Sequence, residues 1–169
     1  VSWEISKSFN SFFIKALEKK DADQNLLLAA GNTLALRGDN FAAQGYYNRL
    51  LSLLNEEKAH HALLFPQAKE EDSQLVEMIL KTNNNLGVVL NKIARQTGNS
   101  QMNGKSFECF VESIRAWDAL TRNQETMVRL GGSNLALQNS KYISASMAEF
   151  EPAIYTDIPR TLVGEKVLK

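Results

Sequence analysis

Glycines at fixed offsets inside a helical pattern constrain the fold of this chain more than any other feature. The stretch LLLAAGNTLALRGDNFAAQGYYNRLLSLL contains Gly31, Gly38 and Gly45. An interior glycine costs a helix about 1 kcal/mol relative to alanine, so each one needs a structural reason. Gly38 is placed to end one helix in a left-handed turn, which predicts helices over about 24–37 and 40–54. Two helices joined by so short a connection must lie antiparallel.

The spacing of small and aromatic residues in this hairpin recurs further along the chain. The matching residues are Gly31, Leu34, Ala43, Tyr47 and Leu50 in the first unit, and Gly87, Leu90, Ser106, Phe110 and Ser113 in the second. The separation between the small residues of the two helices, Gly31 to Ala43 in the first unit, is seven residues longer from Gly87 to Ser106 in the second. These extra residues add about one turn to each antiparallel arm. Added turns of this kind keep the same faces in contact. The glycines Gly31 and Gly87 are therefore predicted to allow a close approach of helices, and for Gly45 we expect at most a second such approach.

This pattern resembles the tetratricopeptide repeat, a helix-turn-helix unit of about 34 residues. Gly31 takes the small site of its first helix, and Ala43 and Tyr47 take the alanine and aromatic sites of its second. Leu50 and Asn55 stand where the family has an alanine and a closing proline. The resemblance implies an all-α fold, a tetratricopeptide-like helical-hairpin solenoid with a right-handed superhelix.

We expect a helical repeat domain over residues 1–143 and an extended tail or linker over 144–169, where Pro152 and Pro159 oppose helix. The domain divides into a half repeat at 3–20, a repeat at 24–55, an inserted helix at 56–72, an extended repeat at 73–121 and a third partial repeat at 125–143. The inserted helix is predicted near 57–64, and the later helices over about 73–97, 105–121 and 125–143. Because the pattern begins half-way through a repeat, we expect either a longer array or a cap formed by residues 3–20.

Charge and composition exclude several classes of function. The 19 basic and 19 acidic side chains cancel, so no basic surface for nucleic acid is expected. No apolar run reaches the roughly 18 residues that a membrane span needs, and the first residues do not form a signal peptide, which would have to lie upstream. The single cysteine, Cys109, cannot form an intramolecular disulfide.

The chain offers weak candidates for catalysis or metal binding. His60 and His61 lie close to Glu56 and Glu57, but adjacent residues on a helix point about 100° apart and do not form a metal-binding pair. Cys109 has only two histidines in the chain as possible partners, so a buried thiol is the simpler interpretation. We therefore expect no catalytic residues, no metal site and no cofactor.

The resemblance implies a concave groove lined by the first helix of each unit. The lining residues would be Asn25, Leu28 and Asn32 in one unit and Lys81, Asn84, Asn85, Asn91 and Lys92 in the next. Asparagine side chains could hydrogen-bond the backbone of a partner, although KTNNN could equally be the exposed side of a helix. Leu28 stands where the family's clamp for a terminal carboxylate has a lysine, so recognition of a chaperone tail is not expected.

These observations favour a non-enzymatic scaffold that binds a peptide or helix of a partner protein in its groove. TNNNLGVVLNKIARQTGN and SIRAWDALTRNQETMVR are similar to tetratricopeptide proteins of spirochaetes, some of which assemble around the periplasmic flagellar motor; this resemblance implies a periplasmic scaffold. Two alternatives remain: a homotypic structural protein that self-associates, and a helical metal-dependent hydrolase using His60 and His61. The tail EFEPAIYTDIPRTLVGEKVLK could pack into the groove of its own array or link to a following domain.

Overall fold

Five α-helices make up most of the part of the chain that the computed structural model describes, residues 24–67, 72–120, 134–145 and 151–156. They are α1 (Gln24–Leu36), α2 (Asn40–Leu64), α3 (Ser73–Thr97), α4 (Ser100–Leu120) and α5 (Leu135–Ser144). No strand occurs within these described ranges, so the prediction of an all-α fold is confirmed. The predicted half repeat at 3–20 lies outside the described residues.

Left-handed glycines end the first helix of each predicted hairpin. Gly38 follows α1 with φ +83°, and Gly98 follows α3 with φ +70°. The N–H of Gly98 donates to the carbonyl of Ala94 at 2.9 Å, which closes the last turn of α3. Consecutive helices pack against one another from α1 to α5, and α3 also contacts both α1 and α5. The odd-numbered helices therefore share one side of the molecule.

Three predicted helix boundaries are wrong. The helix predicted over about 105–121 begins earlier, at Ser100. No separate helix is inserted after residue 54, because α2 continues without a break to Leu64. The polar residues 55–58 are exposed on this helix, and exposure of polar side chains is compatible with helix as well as with a break. A continuous helix over 125–143 is wrong because Asn134 is not helical; it caps α5, and its side chain accepts a hydrogen bond from the N–H of Leu137 at 3.2 Å. Residues 121–133 lie outside the described part.

The close approaches predicted at two glycines are confirmed. A Cβ atom added to Gly31 would lie 2.5 Å from Cε1 of Tyr47, and one added to Gly87 would lie 2.6 Å from Cε1 of Phe110. Both rings are fully buried, so the two hairpins place an aromatic ring on a glycine in the same way. By contrast, a Cβ on Gly45 would meet nothing within 4 Å, so the second close approach suggested there is wrong.

Alanine substitutions at Gly31 and Gly45 are expected to have opposite effects on stability. Gly31→Ala should lower the free energy of unfolding by up to about 2 kcal/mol, because overpacking a core costs about 1–3 kcal/mol and the better helix propensity of alanine returns about 1. Gly45→Ala should raise it by up to about 1 kcal/mol, since its site is open and exposed. Urea unfolding of both variants measures the difference, and equal effects would contradict the packing role of Gly31.

Candidate functional site

An asparagine row crosses the side of the molecule shared by the odd-numbered helices, and it holds an extended segment of the same chain. The row comprises Asn32 of α1, Asn84 and Asn85 of α3, and Asn139 of α5, and all four side chains are buried. The segment comprises residues 151–156, which have no regular secondary structure. We call these two features the asparagine row and the docked segment.

Tyr155 of the docked segment is bound through both of its backbone polar groups. Its N–H donates to Oδ1 of Asn85 at 2.8 Å, and its carbonyl accepts from Nδ2 of Asn85 at 2.9 Å. The same carbonyl accepts a second hydrogen bond from Nδ2 of Asn32 at 3.0 Å. One asparagine amide thus satisfies both the donor and the acceptor of a single residue, as a neighbouring strand would do.

Ala153, two residues earlier, is bound in the same manner by α5. Its N–H donates to Oδ1 of Asn139 at 3.0 Å, and its carbonyl accepts from Nδ2 of Asn139 at 2.8 Å. Nδ2 of Asn84 donates to this carbonyl at 3.1 Å. Since alternate residues of an extended chain direct their backbone groups to the same edge, one edge of the segment faces the asparagine row.

The four asparagines also hydrogen-bond one another in a continuous series. Asn139 donates to Oδ1 of Asn84 at 3.0 Å, Asn84 to Oδ1 of Asn85 at 3.2 Å, and Asn85 to Oδ1 of Asn32 at 2.8 Å. The hydroxyl of Tyr47 donates to Oδ1 of Asn32 at 2.6 Å. Burial raises the pKa of Tyr47, so this hydroxyl keeps its proton at neutral pH. Three of the four amide oxygens accept from another asparagine of the row, and that of Asn139 accepts from the N–H of Ala153. The series therefore fixes the orientation of every side chain in the row.

Side chains of the docked segment join the hydrophobic clusters of the core. Tyr155 is buried in one cluster with Val76 and Leu80 of α3 and Trp117 of α4. Ile154 is half-buried and packs against the other two clusters of buried residues in the core. Glu151 forms an ion pair of 2.7 Å with Lys92, but its side chain is 78% exposed, so this pair contributes little.

The structure brings together four of the eight residues predicted to line the groove. Asn32, Asn84, Asn85 and Lys92 each contact the docked segment. The interpretation of KTNNN as an exposed helix face is wrong, because Asn83, Asn84 and Asn85 are all buried.

The other four predicted residues have different surroundings. Leu28 is fully buried in the hydrophobic core, and Lys81 is buried with its ammonium group 3.2 Å from Glu77. Asn91 is also buried, and its amide donates to the side chain of Asn103 at 3.4 Å. Asn25 is half-buried in the first turn of α1.

Sequence reasoning missed Asn139, which binds Ala153 through two hydrogen bonds. The third partial repeat was predicted only by its bounds, 125–143, which gave this asparagine no defined position. The sequence did contain a signal, because Asn32 and Asn85 are 53 residues apart and Asn84 and Asn139 are 55 apart. Asparagines separated by these two similar intervals would have indicated similar positions on successive odd-numbered helices.

The candidates for catalysis and metal binding lie away from the asparagine row. His60 is exposed on α2, and the half-buried ring of His61 lies 5.0 Å from that of Phe65. Burial, with the nearby carboxylates of Glu108 and Glu112, raises the pKa of Cys109 to about 11, so its thiol is protonated at neutral pH. Among the described residues, no three histidine, cysteine or acidic side chains form a group that could hold a metal ion. No helix of the same residues is both long and apolar enough to cross a bilayer.

Comparison with known proteins adds no assignment. No protein-family model, curated protein or solved structure matches the chain.

Proposed function

We propose that this chain is a tetratricopeptide-like helical solenoid that acts as a non-enzymatic protein-binding scaffold. Its concave face would bind an extended peptide segment of a partner by pairing asparagine amides with the peptide backbone. One observation supports this proposal above the others: Asn85 and Asn139 each hold both the N–H and the carbonyl of one residue in an extended segment.

The equivalent packing of the two hairpins supports the repeat architecture. Tyr47 lies on Gly31 and Phe110 lies on Gly87, at the positions where the repeat pattern places the aromatic and the small residue. The hydroxyl of Ser106 donates to the carbonyl of Gly87 at 2.6 Å, so the second hairpin is also closely packed at its crossing point. Close packing of successive hairpins gives a preformed surface that need not become ordered when it binds.

Backbone pairing suits a scaffold because every peptide has the same backbone groups. An amide side chain offers one acceptor and two donors, so it can satisfy a peptide N–H and carbonyl together. A segment that covers the row must supply these hydrogen bonds, because buried amides left unpaired cost about 1–3 kcal/mol each. The row therefore favours an occupant with an extended backbone whose N–H and carbonyl groups can pair with it, whether that occupant is the docked segment or a partner.

N-methylated peptides provide a direct test of backbone recognition. The receptor is the full chain with Ala153→Pro and Tyr155→Ala, which weaken its docked segment; circular dichroism checks that it remains helical. The probe is a fluorescein-labelled peptide EFEPAIYTDI, the sequence of residues 149–158. Methylating the two peptide nitrogens that correspond to Ala153 and Tyr155 should weaken binding at least tenfold, since both N–H groups donate to asparagines. Equal binding of the methylated and unmethylated peptides would refute backbone recognition.

A narrower role follows from the spirochaete resemblance, and we propose it separately. TNNNLGVVLNKIARQTGN contributes Asn84 and Asn85 to the asparagine row, so the sequence that resembles those proteins also contains part of the site. The scaffold would then act in a periplasmic flagellar assembly. Fractionation of the source cells tests this role: recovery with the flagellar motor in the periplasm supports it, and recovery in the cytoplasmic fraction alone contradicts it.

A further inference from the structure

We propose that the concave groove selects partner segments that contain tyrosine at the position of Tyr155, and that the docked segment competes with those partners. The expected partner sequence is Pro-x-aliphatic-Tyr in an extended conformation. This inference rests on the proposed function, which requires only that the groove binds an extended backbone. The inference adds which side chains of the partner the groove recognises and how the docked segment controls access to the groove.

The space around the Tyr155 side chain is apolar along its walls and polar at its end. Its walls are formed by α3 and α4, and the tyrosine is only 5% exposed. At the end, the hydroxyl accepts a hydrogen bond of 3.2 Å from the N–H of Leu135. That N–H belongs to the first residue of α5, where a helix has no internal acceptor for it.

Tyrosine fits this space better than the other large side chains. Phenylalanine would fill the apolar walls but leave the N–H of Leu135 unpaired, and a site built around a hydroxyl discriminates strongly against an analogue that lacks one. An aliphatic side chain is shorter than that of tyrosine and has no oxygen to accept a hydrogen bond from the N–H of Leu135. The ring belongs to the same cluster of buried side chains as Trp117, so a wider indole would require that cluster to rearrange.

Other positions of the docked segment differ in how much side chain they bury. Pro152 is buried and Ile154 is half-buried, whereas the side chains of Glu151, Ala153 and Thr156 are exposed. Selection should therefore depend on the proline, aliphatic and tyrosine positions and tolerate changes at the position of Ala153. This pattern gives the motif Pro-x-aliphatic-Tyr.

The docked segment occupies the site that such a partner would need. Only residues 145–150 separate it in sequence from the end of α5. A tether of this length gives an intramolecular ligand an effective concentration on the order of millimolar. A partner must therefore displace the docked segment, and weakening that segment should increase the apparent affinity of the partner.

The experiment measures binding of labelled EFEPAIYTDI by fluorescence anisotropy to two full-length receptors, the natural chain and the Ala153→Pro/Tyr155→Ala chain. We expect the substituted chain to bind at least tenfold more tightly. In the peptide, replacing the tyrosine by phenylalanine should weaken binding about tenfold, and replacing it by alanine should weaken it more than a hundredfold. Replacing the alanine that corresponds to exposed Ala153 by glutamine is the matched control and should change binding less than threefold.

Each failure has a distinct meaning. If the tyrosine, phenylalanine and alanine peptides bind equally while N-methylation still abolishes binding, tyrosine selection is wrong and the proposed function stands. If both receptors bind the peptide equally, competition by the docked segment is wrong. If no peptide binds the substituted receptor, the inference and the proposed function both fail. Should that receptor lose helix content, Ala153→Pro alone replaces it, because the side chain of Ala153 is exposed.

Discussion

Lys81→Ala is expected to lower the free energy of unfolding by about 3–5 kcal/mol, the cost of removing one member of a buried ion pair. Lys81 is 2% exposed, and its ammonium group lies 3.2 Å from the carboxylate of Glu77 one turn earlier in α3. Alanine would remove this cation while Glu77 remained buried. Thermal or urea unfolding of the purified chain measures the effect.

Lys92→Ala is the matched control for this prediction. Lys92 lies on the same helix and also forms an ion pair, but its side chain is 30% exposed and its partner Glu151 is 78% exposed. Exposed pairs contribute about 0–1 kcal/mol, so this substitution should barely change stability. If the two substitutions lowered the free energy of unfolding equally, burial would not determine how much the Lys81–Glu77 pair contributes to stability.

The contrast between these lysines shows why the sequence predicted the site only in part. Lys81 and Lys92 are both polar residues of a helix assigned to the groove, and the pattern gives no sign that one is buried. The burial arises because α3 contacts all four of the other described helices, which cover more than one of its faces. Hydrophobic periodicity reports one buried face, so it cannot identify polar residues buried on the others.

The two hairpins were easier to predict from the sequence than the buried polar residues or the docked segment. Gly38 and Gly98 end helices through a local backbone requirement, and Gly31 and Gly87 each face the aromatic residue in the second helix of the same hairpin. Such features depend on neighbours within one repeat. The position of the docked segment depends instead on distant residues, because Tyr155 binds Asn85, which lies 70 residues earlier in the chain. The possibility that the tail packs into its own groove could be stated, but no local pattern selected it over a linker.

Asn85→Ala is expected to weaken docking of residues 151–156 by about 2–3 kcal/mol, or roughly 30- to 150-fold. The substitution removes both hydrogen bonds to the backbone of Tyr155 and the bond to Oδ1 of Asn32. The loss of global stability cannot exceed the docking free energy by much, because the segment can leave the row and expose its backbone to water. We therefore expect a local opening in a molecule whose helices stay folded.

Hydrogen exchange at the Tyr155 amide, measured by NMR under native conditions, distinguishes local opening from global unfolding. Exchange should become about 30- to 150-fold faster in Asn85→Ala, the factor by which docking is weakened. Asn83→Ala is the control, since the Asn83 amide donates to Ile79 within its own helix and should leave exchange at Tyr155 unchanged. Acceleration at Tyr155 with unchanged exchange in α3 would identify the asparagine row as the element that keeps the groove occupied. Unchanged exchange at Tyr155 would contradict the role assigned to Asn85, and docking would then depend on the tyrosine side chain and on the hydrogen bonds that Asn139 and Asn84 make to Ala153.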